Sequence, residues 1–302
     1  MKLYAPKYYK EFVCIADKCR HSCCVGWEID IDSDTMDKYA CVNAEYGKMI
    51  AESIENNADP HFKLDADERC PHLNSNGLCN IILELGEDYL CHICREHPRF
   101  YNDTPRGREV GLGMACEEAC RIILGSDDYC QIVKIDNCNG QKCYSDFDSL
   151  HRRSAIYSIL CDDSLGYSEK LSAVCTQYQV APSLISDTDA KRIINDLEYL
   201  DSSHKELFMT YSPNVQTPKS LEKPLERALA YFVYRHCTEV WDEVDFRASL
   251  GFCLFCERLL ASMAKENGDV CECARILSEE IEYSEENTEA IKEEFYHRIS
   301  DL

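Results

Sequence analysis

The sequence predicts a mainly α-helical protein, α+β at most, in which a cysteine-rich, irregular N-terminal region packs on a helical C-terminal half. Two observations support this prediction. Of the 21 cysteines in the 302 residues, 14 lie at or before Cys143, in a region where only short strands or a hairpin are expected. From Phe147 onward, apolar residues recur at helical spacing. We therefore predict a cysteine-cluster region over residues 1–145 and a helical region over residues 146–302.

Charge and hydropathy exclude several classes of partner. The chain has 32 Lys and Arg against 55 Asp and Glu, for a net charge of −23, which repels phosphate backbones and anionic lipid. Neither nucleic acid nor a membrane is expected as a partner. The opening segment Met1–Pro6 has no apolar run of signal-peptide length, and no later stretch reaches the roughly 18 apolar residues of a membrane span. We therefore expect a cytoplasmic protein.

Local patterns in the first half predict short elements. The alternation over Trp27–Ile31 predicts a short strand, and Ser33 or Asp34 would cap a helix running to about Asn56. Between Cys70 and Cys79, two apolar arms around an Asn-Gly turn indicate a β-hairpin. Further predicted elements are helical turns over Ile81–Leu85, a helix over Tyr89–Glu96, a strand over Glu109–Ala115 and a helix from Cys116 to Gly125.

The second half is predicted to be helical throughout. One apolar stripe includes Leu225, Leu229 and Phe232, spaced so that they share a helix face. The predicted helices cover Phe147–Leu160, Ser168–Val180, Asp187–Leu200, Leu221–Val240, Asp242–Lys265, Asp269–Ile281 and Glu286–Ile299.

Nine thiols of the first half form the candidate metal site. Cytoplasmic thiols stay reduced, so metal ligation is favoured over a disulfide framework. Iron–sulfur clusters and zinc each need about four ligands that converge on a small volume, and the nine thiols could serve one such site with bystanders or two sites with one left over. The candidate ligands are Cys14, Cys19, Cys23, Cys24, Cys70, Cys79, Cys91, Cys94 and Cys116.

The spacing of the cysteines alone does not decide between an iron–sulfur cluster and a zinc site. Only Cys91 and Cys94 show the C-x2-C spacing common in zinc sites, and the irregular remainder suits a cubane or a mixed pair of sites equally well. The other cysteine pairs of interest are weaker candidates, and four histidines inside the clusters could each replace a thiol. These residues are Cys138 with Cys143, Cys253 with Cys256, Cys271 with Cys273, and His21, His72, His92 and His97.

Arg99 is a candidate of a different kind. A guanidinium beside a metal site can hold a carboxylate through two parallel hydrogen bonds. An ion pair with one of the many acidic residues explains the presence of Arg99 equally well. The chain has no G-x-G-x-x-G, P-loop or G-x-S-x-G motif, so dinucleotide binding, phosphate binding and serine-hydrolase chemistry have no support.

These residues together resemble the flagellin lysine N-methylase family over roughly residues 1–125. Glu117 stands where the family pattern often has Pro, and Cys91 is not a fixed position of the pattern. The shared residues are Cys14, Cys19, Cys23 and Cys24 before Gly26-Trp27, then Cys70-Pro71-x-Leu73 with Leu78-Cys79, then Cys94-x3-Pro98-Arg99, then Cys116 ahead of a helix.

The resemblance implies methyl transfer from S-adenosylmethionine to lysine side chains of flagellin in the cytoplasm. It also implies an iron–sulfur cluster, expected as 4Fe–4S with zinc as the alternative. Our own hypothesis is that Arg99 holds the carboxylate of the methyl donor. The alternative from another class is a non-enzymatic iron–sulfur or zinc module that serves electron transfer or structure.

Overall fold

The structure is a computed structural model that describes residues 1–42, 45–138 and 147–301. The chain forms two compact units. The smaller unit is Val13–Arg99, and the larger unit combines Met1–Phe12 with Phe100–Leu302. The predicted boundary between residues 145 and 146 lies outside the described residues, as does Cys143.

Helices dominate the structure, which confirms the predicted fold class: 56% of it is helical and 11% is strand. Among the described residues, no helix combines the length and the apolar character needed to cross a membrane. The helices are α1 (Ser33–Ala40), α2 (Glu45–Ser53), α3 (Asn80–Leu85), α4 (His92–Glu96), α5 (Glu117–Gly125), α6 (Ser149–Leu160), α7 (Tyr167–Tyr178), α8 (Asp187–Asp196), α9 (Lys205–Phe208), α10 (Lys219–His236), α11 (Glu243–Asn267), α12 (Val270–Leu277) and α13 (Glu285–Ser300).

The strands form a four-stranded sheet and a two-stranded ribbon. The four-stranded sheet has the order β4-β5-β1-β6, in which β1 runs parallel to β5 and antiparallel to β6. The predicted strand over Glu109–Ala115 overlaps β5, whereas β1, β4 and β6 were not predicted. The strands are β1 (Lys2–Pro6), β2 (Ile54–Glu55), β3 (His61–Phe62), β4 (Arg99–Thr104), β5 (Gly107–Leu112) and β6 (Ile132–Asn137).

Two local predictions in the smaller unit were wrong. Residues Trp27–Ile31 form no strand; Asp30 makes only an isolated bridge to His61. The single helix predicted to run to Asn56 is interrupted, since α1 ends at Ala40 and α2 begins at Glu45. The residue that caps α1 is Asp32, whose Oδ1 accepts a 3.0 Å hydrogen bond from the backbone N–H of Thr35.

The core of the larger unit is built on α10, α11 and α13. Leu229 and Phe232 of the predicted stripe are fully buried, together with Leu254 and Phe295 from the neighbouring helices. Each such side chain contributes about 1.5–3 kcal/mol by leaving water. The apolar spacing that predicts these helices therefore also predicts the face that packs inward.

A buried ion pair connects the sheet with α6. The Arg153 guanidinium donates 2.7 Å hydrogen bonds to both carboxylate oxygens of Glu109 and a 2.9 Å bond to Thr238 Oγ1. The Arg153 side chain is only 4% exposed and that of Glu109 is fully buried. Arg106 also pairs with Glu109 at 2.6 Å, but its side chain is 37% exposed.

Substituting Gly251 by Ala is expected to destabilise the larger unit. A Cβ at this position of α11 would lie 2.4 Å from Cδ1 of the buried Phe295 ring, so one of the two helices must shift. Overpacking of this kind costs about 1–3 kcal/mol. The matched control is Gly125→Ala at the end of α5, where a Cβ meets nothing within 4 Å and helix propensity favours Ala by up to about 1 kcal/mol. Urea denaturation of both variants measures the difference, and equal free energies of unfolding would contradict this packing.

Candidate thiol metal centre

Backbone pairing brings the first cysteine segment against the second. The N–H of Cys70 donates to the carbonyl of Cys24 at 2.8 Å, and the N–H of Gly26 donates to the carbonyl of Glu68 at 2.9 Å. Val25 and Arg69 between them form an antiparallel bridge. Two segments far apart in sequence are thereby fixed with Cys24 beside Cys70.

A tight loop connects Cys70 with Cys79. The N–H of Asn74 donates to the carbonyl of Leu78 at 2.9 Å, and Gly77 adopts φ +75°, a conformation that glycine adopts without steric cost. One bridge between Leu73 and Cys79 closes the loop. The predicted hairpin therefore exists as a closed turn without regular strands.

Helix α1 positions the start of α4, where Cys91 and Cys94 lie one turn apart. Asp32 Oδ2 accepts a 2.7 Å hydrogen bond from the N–H of His92, so the same carboxylate serves the first turns of both helices. Tyr39 Oη donates to the carbonyl of Tyr89 at 2.9 Å and lies 3.6 Å from Cys91 Sγ. Asp32 and Tyr39 support the site, and sequence reasoning did not single them out.

Six of the nine predicted thiols, all in the smaller unit, share one electrostatic neighbourhood. Cys23 is hydrogen-bonded to Cys24, and Cys94 to Cys91. Cys70 and Cys79 each interact with both Cys24 and Cys91. We call this group the thiol cluster: Cys23, Cys24, Cys70, Cys79, Cys91 and Cys94.

Protonation within the thiol cluster is uneven. A hydrogen bond from the Cys23 thiol lowers the pKa of Cys24 to about 7, and one from the Cys94 thiol lowers the pKa of Cys91. Burial raises the pKa of Cys70 to about 12. In the absence of a cation, burial and repulsion between neighbouring thiolates oppose full deprotonation, and a bound metal cation reverses this by stabilising thiolates.

The thiol cluster fits a metal in donor chemistry. Soft thiolates are the ligands preferred by iron–sulfur clusters and zinc, and six grouped sulfurs exceed the four that either needs. Among the described residues, no three His, Cys, Asp or Glu side chains already converge at distances that would hold a metal ion. Ligation would therefore require these thiols to reorient towards a common centre.

The remaining predicted ligands lie in different surroundings. Cys14 is exposed, and the Cys19 thiol donates to the carbonyl of His21 at 3.0 Å. Cys116 belongs to the larger unit, where it precedes α5 and interacts with Cys120.

His72, one of the histidines that could replace a thiol as metal ligand, has a structural role instead. Its two ring nitrogens are engaged with Tyr46 Oη at 3.2 Å and Ser53 Oγ at 3.0 Å, and burial lowers its pKa to about 4. An imidazole with both nitrogens occupied has no position left for a metal.

The candidate donor-binding residue Arg99 begins β4, and its Nη1 donates to the carbonyl of Arg95 at 3.3 Å.

Comparison with known proteins adds three curated relatives. The flagellar biosynthetic protein FliU of Salmonella muenchen is 30% identical over 164 residues, which cover 51% of this chain and 94% of that protein. The chain belongs to the FliU family. Two proteins named lysine-N-methylase, from Salmonella typhimurium and Salmonella choleraesuis, are each 31% identical to this FliU-family chain over 130 residues, or 41% of it.

Coverage differs among these relatives. The aligned part spans only 32% of each lysine-N-methylase, so the FliU-family chain covers about a third of their length. No family model and no solved structure matches the chain. The names of the relatives agree with the family that the cysteine pattern indicates.

Proposed function

We propose that this protein is a protein-lysine N-methyltransferase that modifies flagellin with S-adenosylmethionine as methyl donor and carries a cysteine-bound iron–sulfur cluster. The observation that carries the proposal is the thiol cluster, because five of its six thiols belong to the pattern that the chain shares with the methylase family, and Cys91 is the sixth. The names of the relatives, lysine-N-methylase and flagellar biosynthetic protein, support the reaction and its flagellar setting.

The thiol cluster would provide the ligands. Cys70, Cys79 and Cys94 match fixed positions of the family pattern, and Cys23 or Cys24 would complete a set of four, with Cys91 as the spare thiol. If only three of these thiols bind, an iron–sulfur cluster would supply an iron with an open position for the amino-acid end of the methyl donor; with all four bound, every iron would be occupied. The backbone pairing of Cys24 with Cys70 and the Asp32 contact to α4 hold the thiol-bearing segments together.

Methyl transfer from a sulfonium places modest chemical demands on the protein. A neutral lysine amine is already a competent nucleophile, so the protein must align the amine with the methyl group, keep it unprotonated by desolvation, and exclude water. This proposed mechanism therefore depends on binding and alignment by this chain's own residues.

Replacing Arg99 by Gln is expected to weaken binding of S-adenosylmethionine. If Arg99 holds the donor carboxylate through two hydrogen bonds, removing the guanidinium loses a charge-assisted contact of about 1.5–3 kcal/mol, or roughly 10- to 100-fold in Kd. Isothermal titration of the metal-loaded protein measures this. Arg95→Gln, four residues earlier, is the matched control, and equal donor affinity in the wild type and Arg99→Gln would remove the role of Arg99.

The proposed function is tested by incubating anaerobically purified protein with flagellin and methyl-labelled S-adenosylmethionine. The expected result is label on flagellin lysines, located by mass spectrometry, and no label on flagellin whose lysines have been reductively methylated beforehand. A metal-loaded protein that leaves flagellin unlabelled would contradict the proposed reaction.

One observation favours a second candidate function, a non-enzymatic metal module. Cys70 and Cys91 are part of the small hydrophobic core of the smaller unit, beside Ile50 and Phe62, so a metal held there would stabilise the fold directly. This candidate predicts metal-dependent folding without methyl transfer, and the labelling experiment separates the two.

A further inference from the structure

The larger unit contains an open cavity of about 390 Å³ that the thiol cluster does not contribute to. Its lining includes Phe100 in β4, Arg235 and His236 at the end of α10, and Tyr283 and Glu285 around the start of α13. The volume lies within the range of small-ligand sites, which combine apolar walls with a few placed polar groups.

A π-helical turn shapes one wall of the cavity. Residues Ser278–Glu282 continue α12 as a π-helix and end on Glu282, whose side chain is fully buried. Such turns are rare and occur frequently at functional sites. The turn brings a carboxylate into contact with two basic residues of α10.

The polar groups of the cavity wall form a connected network. Glu282 Oε1 lies 2.7 Å from His236 Nε2 and 3.6 Å from Arg235 Nε, while Oε2 accepts a 3.0 Å hydrogen bond from Tyr231 Oη. Burial raises the pKa of Glu282, but the Arg235 charge and the hydrogen bond from His236 outweigh it and hold the pKa below its ordinary value. Glu282 is thus an ionised acceptor, which places the His236 proton on Nε2 and leaves Nδ1 as the acceptor nitrogen of a neutral ring.

The charge balance of the wall favours a cationic ligand. Arg235 and Glu282 offset each other, and His236 is neutral because burial lowers its pKa to about 4. Lys292, whose charge also reaches His236, is paired with Glu289 at 3.2 Å. Among the described lining residues, the exposed carboxylate of Glu285 then leaves one negative charge without a counter-charge. An amine entering the cavity is attracted by this carboxylate and finds hydrogen-bond acceptors on the wall.

Two aromatic rings hold Arg235 in the cavity wall. The guanidinium carbon of Arg235 lies 4.9 Å from the ring centre of Phe100 and 4.9 Å from that of Tyr283. Both rings line the cavity, and the Arg235 guanidinium engages their electron-rich faces.

We infer that this cavity binds the primary ammonium group of a lysine side chain, attracted by Glu285 and oriented by a hydrogen bond to His236, which Glu282 holds in place. The inference rests on the proposed function for its biological meaning, since it would make the cavity the docking site of the charged acceptor lysine, which must be deprotonated and desolvated before methyl transfer. The binding itself is a property of the larger unit and is testable without methyl transfer.

The experiment titrates n-butylammonium, which has the length and charge of a lysine side chain, into the full-length protein labelled with 15N-histidine. The expected result is saturable binding with a shift of the His236 ring-nitrogen signals. Butyrate, which has the opposite charge on a similar chain, is expected not to bind. If n-butylammonium leaves the His236 signals unmoved, or if butyrate moves them equally, the inference is overturned.

Two charge reversals form a matched pair. Glu285→Lys and Glu286→Lys change the net charge equally, and both residues are exposed in the first turn of α13, but of the two only Glu285 lines the cavity. Glu285→Lys should weaken n-butylammonium binding by about tenfold or more, and Glu286→Lys by less than about twofold, because solvent screens the more distant charge. Equal weakening in both variants would overturn the inference.

The two proposals can fail independently. Saturable amine binding in a protein that leaves flagellin unlabelled would contradict methyl transfer and retain the amine site. Labelled flagellin together with unchanged binding in Glu285→Lys would retain methyl transfer and overturn this cavity as the acceptor site.

Discussion

Removing the bound metal is expected to unfold the smaller unit while the larger unit keeps its fold. The hydrophobic core of the smaller unit has few members, and two of them, Cys70 and Cys91, are themselves in the thiol cluster. When ligands come together only in the folded state, the free energy of metal binding is folding free energy, about 10–16 kcal/mol for structural zinc in small domains. Few units of this size would stay folded after such a loss.

Hydrogen exchange on the full chain, before and after chelation, measures this result. Backbone amides of Tyr39 and Ile50 in the smaller unit should lose protection, while those around Leu254 in α11 should retain it. Cys70→Ser should reproduce the effect of chelation. The matched control is Cys41→Ser, because Cys41 is exposed in the same unit and outside the thiol cluster. Protection of Tyr39 that survives both chelation and Cys70→Ser would contradict a folding role for the metal.

Arg153→Met is expected to destabilise the larger unit by about 3–5 kcal/mol, because it leaves the fully buried carboxylate of Glu109 without its main partner. Arg106→Met removes a cation from the same carboxylate at a more exposed position and should cost less than about 1 kcal/mol. Chemical denaturation of the full chain measures both free energies of unfolding.

A double variant checks the cause of that loss. Adding Glu109→Gln to Arg153→Met removes the unpaired charge, so the double variant should recover part of the stability that Arg153→Met loses. Equal costs for Arg153→Met and Arg106→Met would mean that burial does not decide the strength of this pair. A double variant less stable than Arg153→Met would mean that the unpaired carboxylate is not what destabilises the single one.

The helices of the second half were predictable because their signal is local. Each apolar face repeats at helical spacing within one segment, and polar residues at the ends mark the starts, as at Asp242, whose carboxylate accepts from the first N–H groups of α11. The start of α1 was harder to predict, since Asp32, Ser33 and Asp34 are all good capping residues. Asp32, which caps the helix, also accepts a hydrogen bond from the N–H of His92, a residue far along the chain.

The four-stranded sheet was largely missed for the opposite reason. Strand β1 pairs with β6, whose residues lie more than a hundred positions later, as in the Tyr4 and Lys134 pair. Short strands stabilised by such distant partners leave little pattern in their own residues. The segment Lys2–Pro6 ahead of Cys14 is therefore a strand, which no local signal indicates.

The sequence predicts the ligand chemistry of the candidate site, but only some of the residues that come together there. Cysteine density indicated thiol ligation, and the grouping of Cys24 with Cys70 depends on backbone pairing between segments that no local rule connects. The cavity wall around Glu282 was missed because its residues come from α10 and a π-turn, and each looks ordinary in its own segment.

The most direct test of the account measures iron, zinc and acid-labile sulfide per chain in anaerobically purified protein. The expected result is a brown protein with about four iron and four sulfide atoms per chain, as a 4Fe–4S cluster requires, and loss of both in Cys70→Ser but not in Cys41→Ser. A colourless wild-type protein with no stoichiometric metal would contradict it.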